Sequence, residues 1–185
     1  MGLAALKIED LPHYTYDDYV QWEGNWELIH GIAYAMVPAP AKKHQRLAVK
    51  IAAQLETLLQ ECPRCQTYMP IDWQITEDTV VQPDVLVVCD DDPEQDRLLI
   101  PPVLVFEITS PSTARKDRTL KYRLYEEAGV IYYCIVDPGT AAAEVFTLNK
   151  RHYRKMEGDD FPDGKILFHL GPCRIAFDFT TLFRK

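Results

Sequence analysis

The sequence predicts an α/β fold in which a mixed β-sheet is flanked by helices, with β-hairpins added at both ends. Two nearly continuous apolar segments, 103–109 and 130–136, are typical of strands that are buried on both faces. The segment 42–60 repeats apolar residues at helical spacing, and the segment 113–128 lies between a capping residue and Gly129. Both segments are predicted helices that would cover the faces of the sheet.

At 185 residues, the chain has the length of about one domain. We expect residues 1–24 to form an arm rich in polar and aromatic side chains, and residues 25–185 to form a single domain. Thr15 can cap a short helix in the arm. Two short segments, 25–29 and 32–37, then form a predicted hairpin that precedes the first long helix.

The remaining strands are predicted from short apolar or alternating segments. Residues 66–75 alternate loosely, and residues 80–89 are rich in valine. Further strands are expected at 143–148, 151–156, 165–169 and 173–177.

Composition and charge limit the possible functions. Asp and Glu total 28 while Lys and Arg total 20, and this net charge of −8 by itself argues against nucleic-acid binding. Basic residues nevertheless cluster at 42–50 and 115–123, so a locally positive surface is compatible with the acidic total. No apolar run is long enough for a membrane span, and the amino terminus lacks the pattern of a signal peptide. We therefore expect a cytoplasmic protein.

The five cysteines form no complete metal-binding motif in the sequence. Cys62 and Cys65 form a C-x-x-C pair, but a structural zinc site needs four ligands and no second pair is present. We expect free thiols, with Cys89 and Cys134 as small core residues of apolar segments. A zinc-binding or redox role of the C-x-x-C pair stays open as a less favoured alternative.

Two carboxylates in predicted buried strands point to chemistry. Asp84 opens the strand that follows Pro83, and Glu107 lies within the most apolar segment of the chain. Burying a carboxylate costs several kcal/mol unless it is paired or bound to a cation. Two carboxylates on neighbouring strands would also repel each other, and a divalent ion such as Mg²⁺ removes both problems. The alternative is that each acid has its own basic partner.

The order helix, strand, Pro-Asp, acid-bearing strand, helix resembles the PD-(D/E)XK nuclease superfamily. In that superfamily a lysine follows the second acid by two residues, which places both side chains on one face of the strand. Here that position is Thr109, so the pattern is broken.

Several short motifs together resemble the Uma-two family of candidate restriction endonucleases within that superfamily. These motifs are Trp26-Glu27-Leu28-Ile29-His30-Gly31, His44, Gln82-Pro83-Asp84-Val85, Phe106 to Thr113, Asp117 to Tyr122 and Glu127 to Pro138. The resemblance implies a restriction-endonuclease-like fold and a Mg²⁺- or Mn²⁺-dependent endonuclease that acts on DNA as a homodimer. It also implies that the catalytic lysine lies on the helix after the acidic strand, where Lys121 matches.

Geometry is compatible with these implied roles but leaves alternatives open. Asp117, Lys121 and Tyr125 share one face of the predicted helix, although Asp117 and Lys121 could also form an exposed ion pair. Glu27 could be a further metal ligand or orient water. His44 could contact phosphate or carry a proton, or it could be a partly buried residue at a helix start.

The sequence therefore predicts a metal site formed by Asp84, Glu107 and the backbone carbonyl of Ile108, since hard oxygen ligands suit Mg²⁺ and Mn²⁺. Asp84, Glu107, Lys121, Glu27 and His44 are the predicted catalytic residues. The favoured function is an endonuclease that hydrolyses DNA with a metal-activated water. The alternative is a catalytically inactive module of the same fold that binds DNA or mediates assembly. For the homodimer, the aromatic residues of the arm are the candidate interface: Tyr14, Tyr16, Tyr19 and Trp22.

Overall fold

The computed structural model describes residues 11–36, 41–171 and 173–184, and its largest element is a six-stranded sheet. Its strands, in spatial order, are β10 (His152–Lys155), β9 (Ala142–Asn149), β8 (Tyr132–Asp137), β7 (Leu104–Ile108), β6 (Val85–Cys89) and β3 (Cys65–Tyr68). The pair β7–β8 is parallel and the other four pairs are antiparallel, so the predicted mixed sheet is confirmed.

Two smaller antiparallel sheets pack against this central sheet. One has four strands in the order β2 (Ile32–Ala35), β1 (Trp26–Ile29), β5 (Thr79–Val81) and β4 (Trp73–Thr76). The other is the carboxy-terminal hairpin of β11 (Lys165–Leu170) and β12 (Cys173–Asp178).

The helices cover the sheets and connect their strands. They are α1 (Tyr16–Tyr19), α2 (Lys42–Leu58), α3 (Ala114–Lys116), a π-helical turn (Asp117–Lys121) and α4 (Tyr122–Ala128). Short 3₁₀ turns lie at Gly158–Asp160, Pro162–Gly164 and Phe179–Thr181. Thr15 caps α1 with a capping box, and Gly129 ends α4 in the left-handed conformation, as expected. In the part of the chain that the structure describes, no helix is long and apolar enough to cross a membrane.

Two predicted strands were wrong because prolines interrupt them. The segment 66–75 is divided into β3 and β4, which belong to different sheets, and Pro70 lies between them. The segment 80–89 is likewise divided into β5 and β6 around Pro83. Proline lacks the N–H that a central strand donates to its neighbour. As a result, Asp84 lies where the chain passes from the four-stranded sheet to the central sheet.

The two faces of the central sheet have separate cores. On one face, α2 and the β11–β12 hairpin pack against side chains that include Val85 and Phe106. On the other face, α4 and the four-stranded sheet pack against side chains that include Leu86 and Val105. Because side chains alternate along a strand, Asp84 and Glu107 belong to this second face.

The aromatic residues of the arm pack within the same chain. The Trp22 ring lies 5.1 Å from the Tyr14 ring, 5.7 Å from the Tyr19 ring and 5.7 Å from the Trp26 ring, measured between centroids. Tyr19 is buried against Leu28 and Val80. This internal packing uses much of the surface that the sequence suggested as a dimer interface.

The expectation of free thiols was wrong for four of the five cysteines. The structure pairs Cys62 with Cys173 and Cys65 with Cys89 at bonding distance, and leaves Cys134 free and buried. Cys65 and Cys89 are directly opposite each other on β3 and β6. This proximity depends on strand pairing, which the spacing of cysteines along the chain does not reveal.

Candidate active site

Asp84 and Glu107 lie on neighbouring chain segments, as the sequence predicted. In the β6–β7 pair, Val85 is opposite Phe106, so the residues that flank this pair, Asp84 and Glu107, are adjacent across the sheet. The Ile108 N–H donates a hydrogen bond of 2.7 Å to Asp84 Oδ2. This bond holds the Asp84 carboxylate beside the end of β7.

Glu107 is buried among polar side chains. Its Oε1 atom accepts hydrogen bonds of 2.7 Å from Lys121 Nζ and 2.7 Å from the Tyr125 hydroxyl. Burial raises the pKa of Glu107 well above its ordinary value; Lys121 opposes this rise, and the nearby carboxylates of Asp84, Asp117 and Glu27 add to it. The ionised form of Glu107 is therefore destabilised in the absence of a further cation.

Glu27 lies on β1 and forms ion pairs with two lysines. Its side chain is completely buried, with Oε1 at 2.8 Å from Lys121 Nζ and Oε2 at 2.5 Å from Lys116 Nζ. The Gln82 N–H also donates to Oε1, at 3.1 Å. Burial by itself would raise the pKa of Glu27, but Lys121 and Lys116 bring it below its ordinary value. Glu27 is thus a stably ionised partner for both lysines.

Lys121 bridges the two glutamates from the helical side of the site. It ends the π-helical turn, a feature that is common at functional sites. Burial would lower the pKa of the Lys121 ammonium, but Glu107, Glu27 and Asp117 raise it well above its ordinary value. Lys121 is therefore a permanently charged, fixed cation. The helix folds back on β7 and brings Lys121 Nζ to 2.7 Å from Glu107 Oε1.

Asp117 is the third buried carboxylate of the site, after Glu27 and Glu107, whereas the sequence also allowed an exposed ion pair with Lys121. Its Oδ1 atom is buried and has no hydrogen-bond partner among the described residues. Burial raises the pKa of Asp117, and Asp84 contributes to the rise, although Lys121 opposes it. Sequence spacing had placed Asp117 on the face of Lys121, but only the packed helix reveals its burial.

His44 lies near the start of α2 and contacts Asp84. Its Nε2 atom is 3.1 Å from Asp84 Oδ2, and both side chains are 18% exposed. The hydrogen bond with Asp84 raises the pKa of His44, the Ile108 carbonyl adds to this effect, and burial opposes it. Thr109, by contrast, lies with its hydroxyl 3.5 Å from the Val136 carbonyl oxygen and brings no charge to the site.

The cluster carries more negative than positive charge. The carboxylates of Glu27, Asp84, Glu107 and Asp117 surround the ammonium groups of Lys116 and Lys121. Four carboxylates and two ammonium groups leave a formal charge of −2 when His44 is neutral. One divalent cation would balance this excess, and the unpartnered Oδ1 atom of Asp117 is the kind of oxygen that such an ion attracts.

The architecture is that of a nuclease-like α+β fold. A crystal structure described as a putative nuclease belonging to DUF820, from Anabaena variabilis, matches 92% of this chain and 97% of its own with a TM-score of 0.73. Its sequence identity is 16%, so the likeness concerns the fold.

The chain belongs to the Uma2 (Uma-two) family, described as "Putative restriction endonuclease", whose family model matches residues 16–174. An uncharacterized protein of Synechocystis, slr1290, is 28% identical over 146 residues, which cover 75% of this chain and 76% of that protein. The fold and family expected from the sequence motifs are therefore confirmed.

The ion pairs of Glu27 predict a loss of stability when its charge is removed. We expect Glu27→Gln to lower the free energy of unfolding at pH 7 by about 3–5 kcal/mol, because two lysines lose a buried partner. Glu23→Gln is the matched control, since Glu23 is exposed in the loop just before β1. Urea titration in the presence of EDTA measures both variants, and equal stabilities would contradict this role of Glu27.

The lowered pKa of Glu27 also predicts the direction of its pH dependence. A carboxyl group whose pKa is lower in the folded than in the unfolded state stabilises the protein at pH values above its unfolded-state pKa. For Glu27 the ordinary value of that pKa is 4.5. This stabilisation is lost as the pH falls through the lower folded-state pKa. Wild-type protein should therefore lose more stability than Glu27→Gln on acidification below that ordinary value.

Proposed function

We propose that this protein is a metal-dependent endonuclease that hydrolyses phosphodiester bonds in DNA. The observation that carries the proposal is a cluster of four carboxylates, three of them buried and Asp84 partly exposed, with two lysines, next to the end of β7. A stable fold gains little from this excess of buried negative charge, because unpaired buried carboxylates are costly. A site that binds a divalent cation and a phosphate group explains why both signs of charge lie together.

The proposed metal ligands are Asp84, Glu107 and the backbone carbonyl of Ile108. All three offer hard oxygen atoms at the ends of adjacent strands, which suits Mg²⁺ or Mn²⁺. A divalent ion held there would activate water for attack on phosphorus and offset charge on the phosphate oxygens. Asp117 and its unpartnered oxygen would lie close enough to orient a water molecule of the site.

The lysines and His44 have distinct proposed roles. Lys121, fixed between Glu27 and Glu107, would stabilise the negative charge that develops on the phosphate as water attacks. Glu27 would position Lys121 and Lys116 rather than bind metal directly, because both of its oxygens already accept from ammonium groups. His44, next to Asp84, would contact phosphate or carry a proton.

The distribution of basic side chains supports DNA as the substrate. Exposed basic residues accompany the site on both helical elements that border it: Lys42, Lys43 and Arg46 on α2, and Arg115 and Arg118 around α3 and the π-helical turn. Such clusters attract the DNA backbone even when the protein as a whole is acidic. We further propose a homodimer, since a two-fold arrangement presents one site to each strand.

Metal binding is expected to depend on Asp84. Isothermal titration with Mn²⁺ should detect binding to wild-type protein and none to Asp84→Asn. Asp90→Asn is the matched control, because Asp90 directly follows the opposite end of β6 and pairs with exposed Arg64. If Asp84→Asn binds Mn²⁺ as wild-type protein does, the metal site does not include Asp84.

The homodimer is tested by light scattering at micromolar protein concentration. The proposal predicts twice the mass of one chain, with and without Mn²⁺. A monomeric mass in both conditions would contradict the homodimer without affecting the proposed chemistry.

A further inference from the structure

Four cysteines converge at the opposite end of β6 from the candidate active site. They come from three segments of the chain: Cys62 and Cys65 lie in the turn from α2 into β3, Cys89 at the end of β6 and Cys173 at the start of β12. The sulfur atoms of Cys62, Cys65 and Cys173 all lie within 4.8 Å of one another. Cys89 is directly opposite Cys65, and both sulfurs lie near the Leu170 carbonyl oxygen, at 4.0 and 3.9 Å.

We propose that these four cysteines bind one zinc ion as a structural Cys₄ site. Tetrahedral Zn²⁺ with Zn–S distances of about 2.3 Å holds its four sulfurs about 3.8 Å apart. The sulfurs of Cys62, Cys65 and Cys173 lie close enough to reach one ion, and Cys89 adjoins Cys65. Binding would move apart the two sulfur pairs that the structure holds at bonding distance. Each of the four thiols would lose a proton to solvent as the ion binds. The hydrogen-bond contacts of Cys65 and Cys89 with the Leu170 carbonyl oxygen would then end, because thiolates do not donate hydrogen bonds.

The arrangement favours a metal over two independent disulfides. The sulfurs of Cys62 and Cys173 adjoin that of Cys65, so a single ion can reach both pairs. The Cα atoms of Cys65 and Cys89 are 3.9 Å apart, which is less than the usual disulfide range of about 4.4–6.8 Å. Thiolate ligands of one ion are not subject to that range.

The local backbone at Cys62 and Cys65 also suits zinc. The C-x-x-C segment forms a tight turn in which the Cys65 N–H donates a 3.0 Å hydrogen bond to the Cys62 carbonyl oxygen. This spacing lets two thiolates of one segment reach the same ion. Arg64, inside the turn, pairs with Asp90 and so ties the turn to the end of β6.

The proposed ion would cross-link three parts of the fold that are distant along the chain. The β11–β12 hairpin forms a sheet of its own, and β3 is an edge strand of the central sheet. Cys173 and Cys62 are separated by 111 residues along the chain. A zinc ion at this point would fasten the hairpin and the end of α2 to the edge strand.

The zinc site is independent of the proposed nuclease chemistry. Cys89 is five positions after Asp84, which corresponds to roughly 16 Å along an extended strand. The ligands are sulfur atoms, which prefer zinc to Mg²⁺ or Mn²⁺. Loss of nuclease activity would therefore leave this proposal untouched.

The test is the zinc content of the full chain, expressed without a histidine tag in medium with zinc and purified under reducing conditions. Mass spectrometry of the metal should find one zinc per chain in wild-type protein. Cys62→Ser and Cys173→Ser should lose it, whereas Cys134→Ser, at the buried fifth cysteine, and Asp84→Asn should retain it. Zinc retained by both cluster variants, or absent from wild-type protein, would overturn the proposal.

If the cluster variants do not fold, two measurements on wild-type protein test the zinc site instead. Wild-type protein purified in the presence of Co²⁺ should show thiolate-to-cobalt charge transfer and the visible bands of tetrahedral coordination. Without reductant, the unfolded, chelated protein should present all five cysteines as thiols. Absence of the cobalt spectrum, together with a single titratable thiol, would establish two disulfides instead.

Discussion

Lys121→Met is expected to slow single-turnover cleavage of plasmid DNA by about 100- to 1,000-fold, the usual effect of removing a fixed charge that stabilises a transition state. Methionine keeps much of the volume of the side chain but removes the ammonium group between Glu27 and Glu107. Thr109 is neutral and bonded to its neighbouring strand, so it cannot replace that charge. Mn²⁺ affinity should not fall, because the variant makes the carboxylate cluster more negative.

Three other variants make this result specific to Lys121. Lys116→Met removes the second ammonium group near Glu27. Because the Lys116 side chain is partly exposed, this variant should slow cleavage less than Lys121→Met does. Lys165→Met, at an exposed position of the carboxy-terminal hairpin, and Thr109→Ala should cleave at nearly the wild-type rate. If Lys121→Met cleaves normally while Lys116→Met does not, the catalytic lysine is Lys116.

Glu107→Gln is expected to abolish Mn²⁺ binding and cleavage while leaving the metal-free protein as stable as wild type, or more stable, at pH 7. A carboxyl whose folded-state pKa is raised binds its proton more tightly in the folded state. Its contribution to stability is therefore largest below the ordinary value of 4.5 and falls as the pH rises towards the folded-state pKa. Glutamine removes that cost, and its amide oxygen can still accept from Lys121 and Tyr125.

Urea titration in EDTA at pH 5 and pH 8 measures this effect. Wild-type protein should lose stability relative to Glu107→Gln as the pH rises, whereas Glu27→Gln should be the less stable protein at both values. The opposite signs at two buried glutamates distinguish a metal ligand from a residue that holds lysines. A loss of several kcal/mol in metal-free Glu107→Gln would show that Glu107 is a structural ion-pair partner.

The sequence predicted those features that depend on local pattern. Consecutive apolar segments with one acid each placed Asp84 and Glu107 side by side, and Gly129 marked the end of the helix that carries Lys121. The predicted cap at the start of that helix is not formed, since Thr113 makes no side-chain capping hydrogen bond. The divided strands were missed, although Pro70 and Pro83 supplied a local signal for both interruptions.

Other features depend on contacts between distant segments and could not be predicted in the same way. Glu27 and Lys116 are 89 residues apart, and their ion pair exists only because β1 lies beside the helix that follows β7. The four converging cysteines include two isolated ones, Cys89 and Cys173, which the spacing of a short motif does not connect. The burial of Asp117 likewise requires the packed helix.

Cleavage of covalently closed plasmid DNA is the most direct test of the central claim, because such DNA has no ends and only an endonuclease can open it. With Mg²⁺ or Mn²⁺, wild-type protein and Asp90→Asn should convert it to nicked and linear forms, and EDTA should stop the reaction. Asp84→Asn, prepared in parallel, should leave it closed under every condition. If the plasmid stays closed after incubation with wild-type protein and either metal, the account is contradicted and an inactive DNA-binding or assembly module is favoured. Equal cleavage by wild-type protein and Asp84→Asn would instead contradict the proposed site.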